Sequence, residues 1–232
     1  APTNSATGWS RTAAIAWARG SVVVVEDLGG PRYLVDLDPS AQLRINDSQV
    51  APGGWLICGL MAPDRARRQG AGRLVRVSTD GTTAVLSDGI SIANGLGWSP
   101  DGGTMFHVDT LALRVYRMDF DPRTGEASNR RLAFTTDSFG GMPDGLAIDV
   151  EGRIWLAHFG TPYVICTDAD GRELDRVELP VANVTSCAFG GDDLSTLFVT
   201  TTIRDATTEH PDAGAVFAVA TSTRGLPPRL FG

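Results

Sequence analysis

Three residues with oxygen-bearing side chains stand at similar places in the sequence, each shortly before an apolar segment. They are Asn46, Asn94 and Asp144. Carboxylate and carboxamide oxygens are hard ligands that suit Ca²⁺ or Mg²⁺, and Ca²⁺ tolerates irregular geometry with several waters. If the fold brings these side chains together, they would form an oxygen-rich site for a divalent metal ion.

A repeated pair of strands organises the chain around these residues. In each repeat, a first strand leads into a tight turn rich in Gly, Asp and Pro, and a second apolar strand follows. The repeats begin near Ala13, Asn46, Asn94, Asp144 and Ser186, at intervals of 33, 48, 50 and 42 residues. Periods of about 40–50 residues with several strands each are typical of β-propeller blades. We therefore predict an all-β fold, with one propeller domain over residues 1–232.

Propeller geometry would place the three polar residues around one axis, because the innermost strand of each blade runs along the central channel. The alternative is a set of unrelated turns. Asn94-Gly95 is a hairpin signal by itself, and Asp144 lies in a Pro-Asp-Gly sequence that is common in turns. Because the three residues recur in register, we favour a shared site in the channel.

Composition excludes several classes of function. The chain has 232 residues and a net charge of −7, which argues against a nucleic-acid partner, since phosphate binding needs a basic stripe. The one dense basic cluster, formed by Arg65, Arg67, Arg68 and Arg73, is interpreted as a solvated loop. No apolar run reaches the roughly 18 residues of a membrane span, so we expect no membrane insertion.

Cysteines and the N-terminal segment bear on location. Cys58, Cys166 and Cys187 lie in apolar runs without a Cys-x-x-Cys pair, so we expect buried free thiols. No basic start followed by an apolar stretch opens the sequence, so we expect no signal peptide and a cytoplasmic protein. No histidine metal motif, serine-hydrolase elbow or phosphate-binding loop is present.

Five longer motifs resemble the regucalcin (senescence marker protein) and gluconolactonase family. They occupy residues 44–47, 94–102, 128–131, 143–155 and 185–191, and the similarity runs from about Thr12 to Phe231. The resemblance implies a six-bladed propeller with one divalent metal ion in its central channel. It also implies hydrolysis of small sugar-acid lactones such as gluconolactone, by a monomer or homodimer.

The resemblance also implies roles for single residues. Asn94 and Asp144 match two metal ligands, and Asp144 matches the catalytic base as well. Arg44 and Asn46 match residues that contact the substrate, and Asp64 stands where many relatives carry a substrate-contacting Glu. Among metals Ca²⁺ is favoured, with Mg²⁺, Mn²⁺ and Zn²⁺ as alternatives.

One departure from the family keeps other functions open. The family's third metal ligand is a Glu in an N-terminal Glu-x-Pro-x-Trp segment, which this sequence lacks. We therefore expect the first blade to be missing or incomplete. Two alternatives remain beside the lactonase: a non-catalytic propeller that binds Ca²⁺ or a small molecule, and a related metal-dependent phosphotriesterase.

Overall fold

The computed structural model describes residues 15–18, 21–26, 30–204 and 211–232, which form antiparallel sheets that follow one another along the chain. The first sheet has three strands: β1 (Ile15–Ala18), β2 (Ser21–Glu26) and β3 (Gly30–Asp36). The second has β4 (Arg44–Val50), β5 (Leu56–Met61), β6 (Gly72–Val77) and β7 (Thr83–Ile90). The third has β8 (Ala93–Trp98), β9 (Thr104–Asp109), β10 (Arg114–Asp121) and β11 (Glu126–Thr135).

Two further sheets complete the described fold. One has β12 (Met142–Ile148), β13 (Ile154–Phe159), β14 (Tyr163–Thr167) and β15 (Glu173–Glu178), and the other has β16 (Val184–Gly190), β17 (Thr196–Thr201) and β18 (Val216–Ala220). Two short 3-10 helices, Arg65–Arg67 and Asp137–Phe139, lie in the connections. In the part of the chain that the structure describes, no helix has the length and apolar character needed to cross a membrane.

Each sheet is a meander, and the first strands of successive sheets lie side by side. β8 packs against β4 and β12, and β12 packs against β16. This is the arrangement of propeller blades around a channel. The predicted all-β propeller is therefore confirmed, and Asn46, Asn94, Asp144 and Ser186 lie on inner strands as expected. Ala13 lies outside the described residues.

The predicted count of six blades is not met by the described residues. They hold four consecutive blades, from β4 to β18, behind the three-stranded sheet β1–β3. Six blades of four strands each need about 24 strands, whereas 18 strands are present here.

The core lies between the faces of neighbouring blades. Trp98 packs with Ile57 and Leu74 between the β4–β7 and β8–β11 blades. Trp155 packs with Cys187 and Leu197 between the last two blades. Both tryptophans are therefore packing residues between blades. The three cysteines are buried free thiols, as predicted.

The C-terminal segment crosses the ends of the inner strands. Gly225 bridges Asp149, which follows β12, and the Gly232 backbone N–H donates to the Gly54 carbonyl over 3.1 Å, in the turn after β4. Phe231 is buried in the core of the β4–β7 blade. Asn46, Asn94 and Asp144 lie near the beginnings of the same strands, at the opposite end of the channel.

A glycine on β12 provides a test of how closely the inner strands approach. A Cβ added to Gly145 would lie 2.9 Å from the Cα of Ser186 on β16, whereas one added to Gly103 would meet only Asp101 atoms at 3.7 Å or beyond. We expect Gly145→Ala to lower the free energy of unfolding by about 1–3 kcal/mol, measured by denaturant unfolding. Gly103→Ala is the control, with an expected change of about 0.5 kcal/mol or less. Equal effects of the two substitutions would contradict the close packing.

Candidate functional site

A break in the strand register near the start of each inner strand positions the site. The shifts fall between Ile45 and Asp47 in β4, Asn94 and Leu96 in β8, Pro143 and Leu146 in β12, and Val184 and Ser186 in β16. A β-bulge leaves a residue unpaired and changes the direction of its side chain. Asn46 and Asp144 lie within the breaks of β4 and β12, and Asn94, which pairs with Val108, directly precedes the unpaired Gly95 of β8. The three residues therefore have similar positions on adjacent inner strands.

These residues meet in one cavity of about 450 Å³. Its walls include four of the five predicted site residues: Arg44, Asn46, Asn94 and Asp144. Apolar side chains such as Met142 and Phe159 contribute to the same walls. The structure thus brings together four of the residues that the repeat and the family resemblance selected.

A chain of side-chain hydrogen bonds joins two blades at this site. The Asn94 amide donates from Nδ2 to Oδ1 of Asp144, and over 3.1 Å to the hydroxyl of Thr110. Asn94 and Thr110 are buried, and Asp144 is half-buried. The carboxylate of β12 is therefore held against the carboxamide of β8.

Asn46, on β4, connects a further inner strand to the backbone beside Asn94. Its Nδ2 donates to the backbone carbonyl of Ala93 over 3.2 Å, immediately before Asn94. Asp109, at the end of β9, accepts from the backbone N–H groups of Ser91 (3.0 Å) and Ile92 (3.2 Å). It thereby closes the turn that leads into β8 and fixes the segment before Asn94.

The Asp144 carboxyl has a strongly altered affinity for protons. Burial raises its pKa to about 7, although the hydrogen bond from Asn94 acts in the opposite direction, and the negative charge of Asp47 raises the pKa further. Removal of water disfavours a charged carboxylate, and a neighbouring like charge adds to this effect. A carboxyl with such a pKa can both accept and donate a proton near neutral pH.

Asp47 is a second carboxyl whose charge acts on Asp144, and the sequence pattern did not single it out. Burial raises its pKa to about 6, while a hydrogen bond from the Ser48 backbone N–H acts against this shift. It follows Asn46 directly, at the bulge of β4. Its place in the Arg-Ile-Asn-Asp motif was the available signal, but the alternation of a regular strand would have pointed it away from Asn46.

Arg44 lies in the cavity wall beside other arginines. It is half-buried and donates from Nη1 to the carbonyl of Ile45 over 2.9 Å. Burial and the nearby positive charge of Arg68 lower its pKa. Arg65, Arg68 and Arg204 line the same cavity. The predicted loop is accessible to solvent, with Arg65 exposed and Arg68 half-buried, but both residues also line the cavity, which the sequence did not indicate.

Asp64 is the predicted site residue that the structure does not bring to the cavity wall. It is exposed, and its carboxylate accepts from the backbone N–H of Ala66 over 3.0 Å, at the start of the Arg65–Arg67 helix. The side chains of Arg65 and Arg68 lie at the cavity instead. Asp64 thus shapes the loop that presents these two arginines.

The donor chemistry at Asn94 and Asp144 fits a hard divalent cation. One carboxylate and one carboxamide meet there, and both offer oxygen. For Asn94 to serve as a ligand, its amide has to turn so that Oδ1 replaces Nδ2 beside Asp144. Within the described ranges, no cluster of three or more His, Cys, Asp or Glu side chains suits a metal ion.

The histidines contribute little to this chemistry. His107 is fully buried and stacks on Tyr116, with 5.2 Å between ring centroids, and burial lowers its pKa to about 3. The ring of His158 contacts the Gly140 carbonyl through Nδ1 at 2.9 Å. Both therefore act as neutral packing residues. His210 lies outside the described residues.

Comparison with known proteins agrees with this fold. Residues 3–203 match the family described as SMP-30/Gluconolactonase/LRE-like region. The chain is 36% identical over 223 residues to the pentonolactonase XacC of Haloferax volcanii, covering 90% of this chain and 75% of that protein. It is 35% identical over 233 residues to regucalcin of Gallus gallus, covering 96% of this chain and 75% of that protein.

A solved structure shows the same fold. The crystal structure of the calcium-binding protein regucalcin from Agrobacterium tumefaciens superposes with a TM-score of 0.83 at 28% identity, over 94% of this chain and 78% of that one. The extent of the sequence match and the shared propeller confirm the predicted family. The chain belongs to the SMP-30/gluconolactonase/LRE-like family.

Proposed function

We propose that this protein hydrolyses sugar-acid lactones with the help of one divalent metal ion, for which Ca²⁺ is favoured. The observation that carries the proposal is the half-buried Asp144 carboxyl, held by Asn94 at the wall of a cavity that is also lined by arginine. Family membership supports the class of reaction, since one relative is named a pentonolactonase and another a calcium-binding protein.

Asp144 is suited to the proton transfers of ester hydrolysis. Water attacks the lactone carbonyl carbon, and the attacking water loses a proton, which the carboxylate of Asp144 accepts. The bond between the carbonyl carbon and the ring oxygen then breaks, and the same carboxyl returns the proton to that oxygen. In the metal-free protein, burial raises the pKa of this carboxyl to about 7, so its surroundings favour proton uptake.

Asn94 and Asp144 are the residues that would hold the metal ion. When bound, a divalent cation would supply Lewis-acid stabilisation of negative charge on the lactone carbonyl oxygen. Arg44 would donate hydrogen bonds to substrate oxygens, for which its planar fork is suited. Asn46, fixed through Ala93, would orient a substrate hydroxyl group.

A substitution at Asp144 tests the proposed base. We expect Asp144→Asn to lower kcat for hydrolysis of D-glucono-1,5-lactone by about 100-fold or more, because general acid–base groups typically contribute that much. Acid release in a pH-stat with saturating Ca²⁺ measures the rate. Asp88→Asn, at an exposed carboxyl on β7, is the matched control and should keep its activity. Full activity of Asp144→Asn would remove Asp144 from the mechanism.

The raised pKa predicts a stability effect in the metal-free protein. A carboxyl with a folded-state pKa of about 7 and an ordinary pKa of 3.8 favours folding while it is protonated, and this contribution is lost as the pH rises from about 4 to about 7. Asp144→Asn removes the charged form, so the variant should unfold at a higher Tm than wild type at pH 7.5. For a domain of this size, each kcal/mol corresponds to roughly 2–4 °C.

Two conditions control this measurement. At pH 4 the difference in Tm between the variant and the wild type should be small, because both carry a neutral group at this position. Added Ca²⁺ should raise the Tm of the wild type, since a ligand that binds the folded state stabilises it, and should raise that of the variant less. A variant that melts below the wild type at pH 7.5 without metal would contradict the desolvated carboxyl.

A further inference from the structure

Four arginines surround the cavity that holds Asp144. Arg44 comes from β4, Arg65 and Arg68 come from the loop after β5, and Arg204 follows β17. The whole chain carries a net charge of −7. The local charge at this cavity therefore opposes that of the protein, and clefts lined by one sign of charge attract ligands of the other sign.

Five arginines elsewhere in the described residues have acidic partners. Arg117, Arg123, Arg131, Arg153 and Arg176 each form an ion pair with Asp or Glu. Among the residues that the structure describes, the ion pairs include none of the four cavity arginines. Arg44 and Arg68 instead donate to backbone carbonyls, those of Ile45, Ala62 and Pro63, which leave the positive charges unneutralised.

Arg44 and Arg68 are held close to one another in spite of their like charges. Repulsion from Arg68 and partial burial both disfavour the charged form of Arg44. Such an arrangement lowers stability unless a bound anion compensates it. The carbonyl contacts of Arg68, at 3.2 Å from both Nε and Nη2, fix its guanidinium at the wall. The pair is thus preorganised for an anionic group.

We infer that the preferred lactone carries a carboxylate of its own, which Arg44 and Arg68 bind, while Arg65 and Arg204 add positive charge at the cavity wall. A carboxylate is planar and matches the fork of a guanidinium. The inference rests on the proposed lactonase function and adds the substrate class: an acidic lactone in which a carboxylate stands at the end of the sugar chain remote from the ester. Asp144 would act on the ester carbonyl.

A matched pair of lactones tests the inference. D-glucaro-1,4-lactone and D-glucono-1,4-lactone share the ring and differ at carbon 6, which is a carboxylate in the first and a hydroxymethyl group in the second. We expect kcat/KM to be about tenfold or more higher for the carboxylate compound, as charge-assisted hydrogen bonds are worth at least this factor. The preference should shrink as ionic strength rises.

Substitutions of single arginines show which of them produce the preference for the carboxylate compound. Arg68→Gln and Arg65→Gln should each reduce the ratio of kcat/KM for the two lactones, chiefly by raising KM for the carboxylate compound. Arg65 is exposed, so its substitution is not expected to impair folding. Arg67→Gln is the control: Arg67 belongs to the same short helix, is exposed, and donates to the Gln42 side chain rather than lining the cavity. Its ratio should equal that of the wild type.

The outcomes separate the two proposals. If the neutral lactone is hydrolysed as fast as the acidic one or faster, the substrate class is wrong and the lactonase function stands. The substrate class is also wrong if Arg67→Gln changes the ratio as much as Arg65→Gln and Arg68→Gln do. Failure to hydrolyse either lactone with Ca²⁺ present would overturn both proposals.

Discussion

The close approach of neighbouring inner strands is the constraint on which the site depends. A Cβ on Gly95 would lie 2.6 Å from the carbonyl oxygen of Asp144, and one on Gly97 would lie 2.6 Å from Leu146. Glycine is therefore needed where β8 meets β12, and Gly145 serves the same purpose where β12 meets β16. Strands this close leave a narrow channel in which side chains from separate blades must contact one another. Asn94 and Asp144 are hydrogen-bonded for this reason.

The narrow channel also explains why charged groups at the site have shifted pKa values. Asp47 and Asp144 are removed from bulk water and repel one another, so the folded state holds its carboxyl groups at raised pKa values. The pKa of Arg44 is lowered in the same way, because burial and the nearby positive charge of Arg68 disfavour its charged form. Natural proteins retain groups of this kind where activity requires a destabilised site. Ion pairs elsewhere, such as those of Arg123 with Asp121 and Arg131 with Asp119, lie on exposed faces, where they have little effect on stability.

Much of the fold could be predicted because the repeat combines two independent signals. Turn residues and apolar strands recur with one period, and the positions of Asn46, Asn94 and Asp144 keep the same phase within it. This constant position within the repeat predicts that the three side chains lie around one axis. The number of blades was harder to predict, since the six-bladed expectation came from the family, while the described strands form four blades and a three-stranded sheet.

Residues that sequence reasoning missed or misplaced depend on irregular backbone. Asp47 reaches the channel environment through a bulge that breaks the alternation of β4, and no simple strand pattern predicts this. Arg65 and Arg68 reach the cavity because a short helix capped by Asp64 redirects a loop that looked like an ordinary solvated charge cluster. Arg204 lies about 140 residues further along the chain, so only the packing of the blades around one channel brings it to the same cavity. Asp64 itself was predicted from its position after Met61, but its carboxylate is used in the turn.

We propose that the bulged inner strands bring Asn94 and Asp144 together to hold one divalent cation at the arginine-lined cavity. A crystal structure of the protein soaked in Mn²⁺, with the anomalous signal used to locate the ion, would test this. We expect a single peak within about 2.1–2.6 Å of the Asp144 carboxylate and the Asn94 Oδ1 atom, the range of metal–oxygen bonds for such ions. A peak at another position in the propeller, or no peak at saturating Mn²⁺, would contradict it.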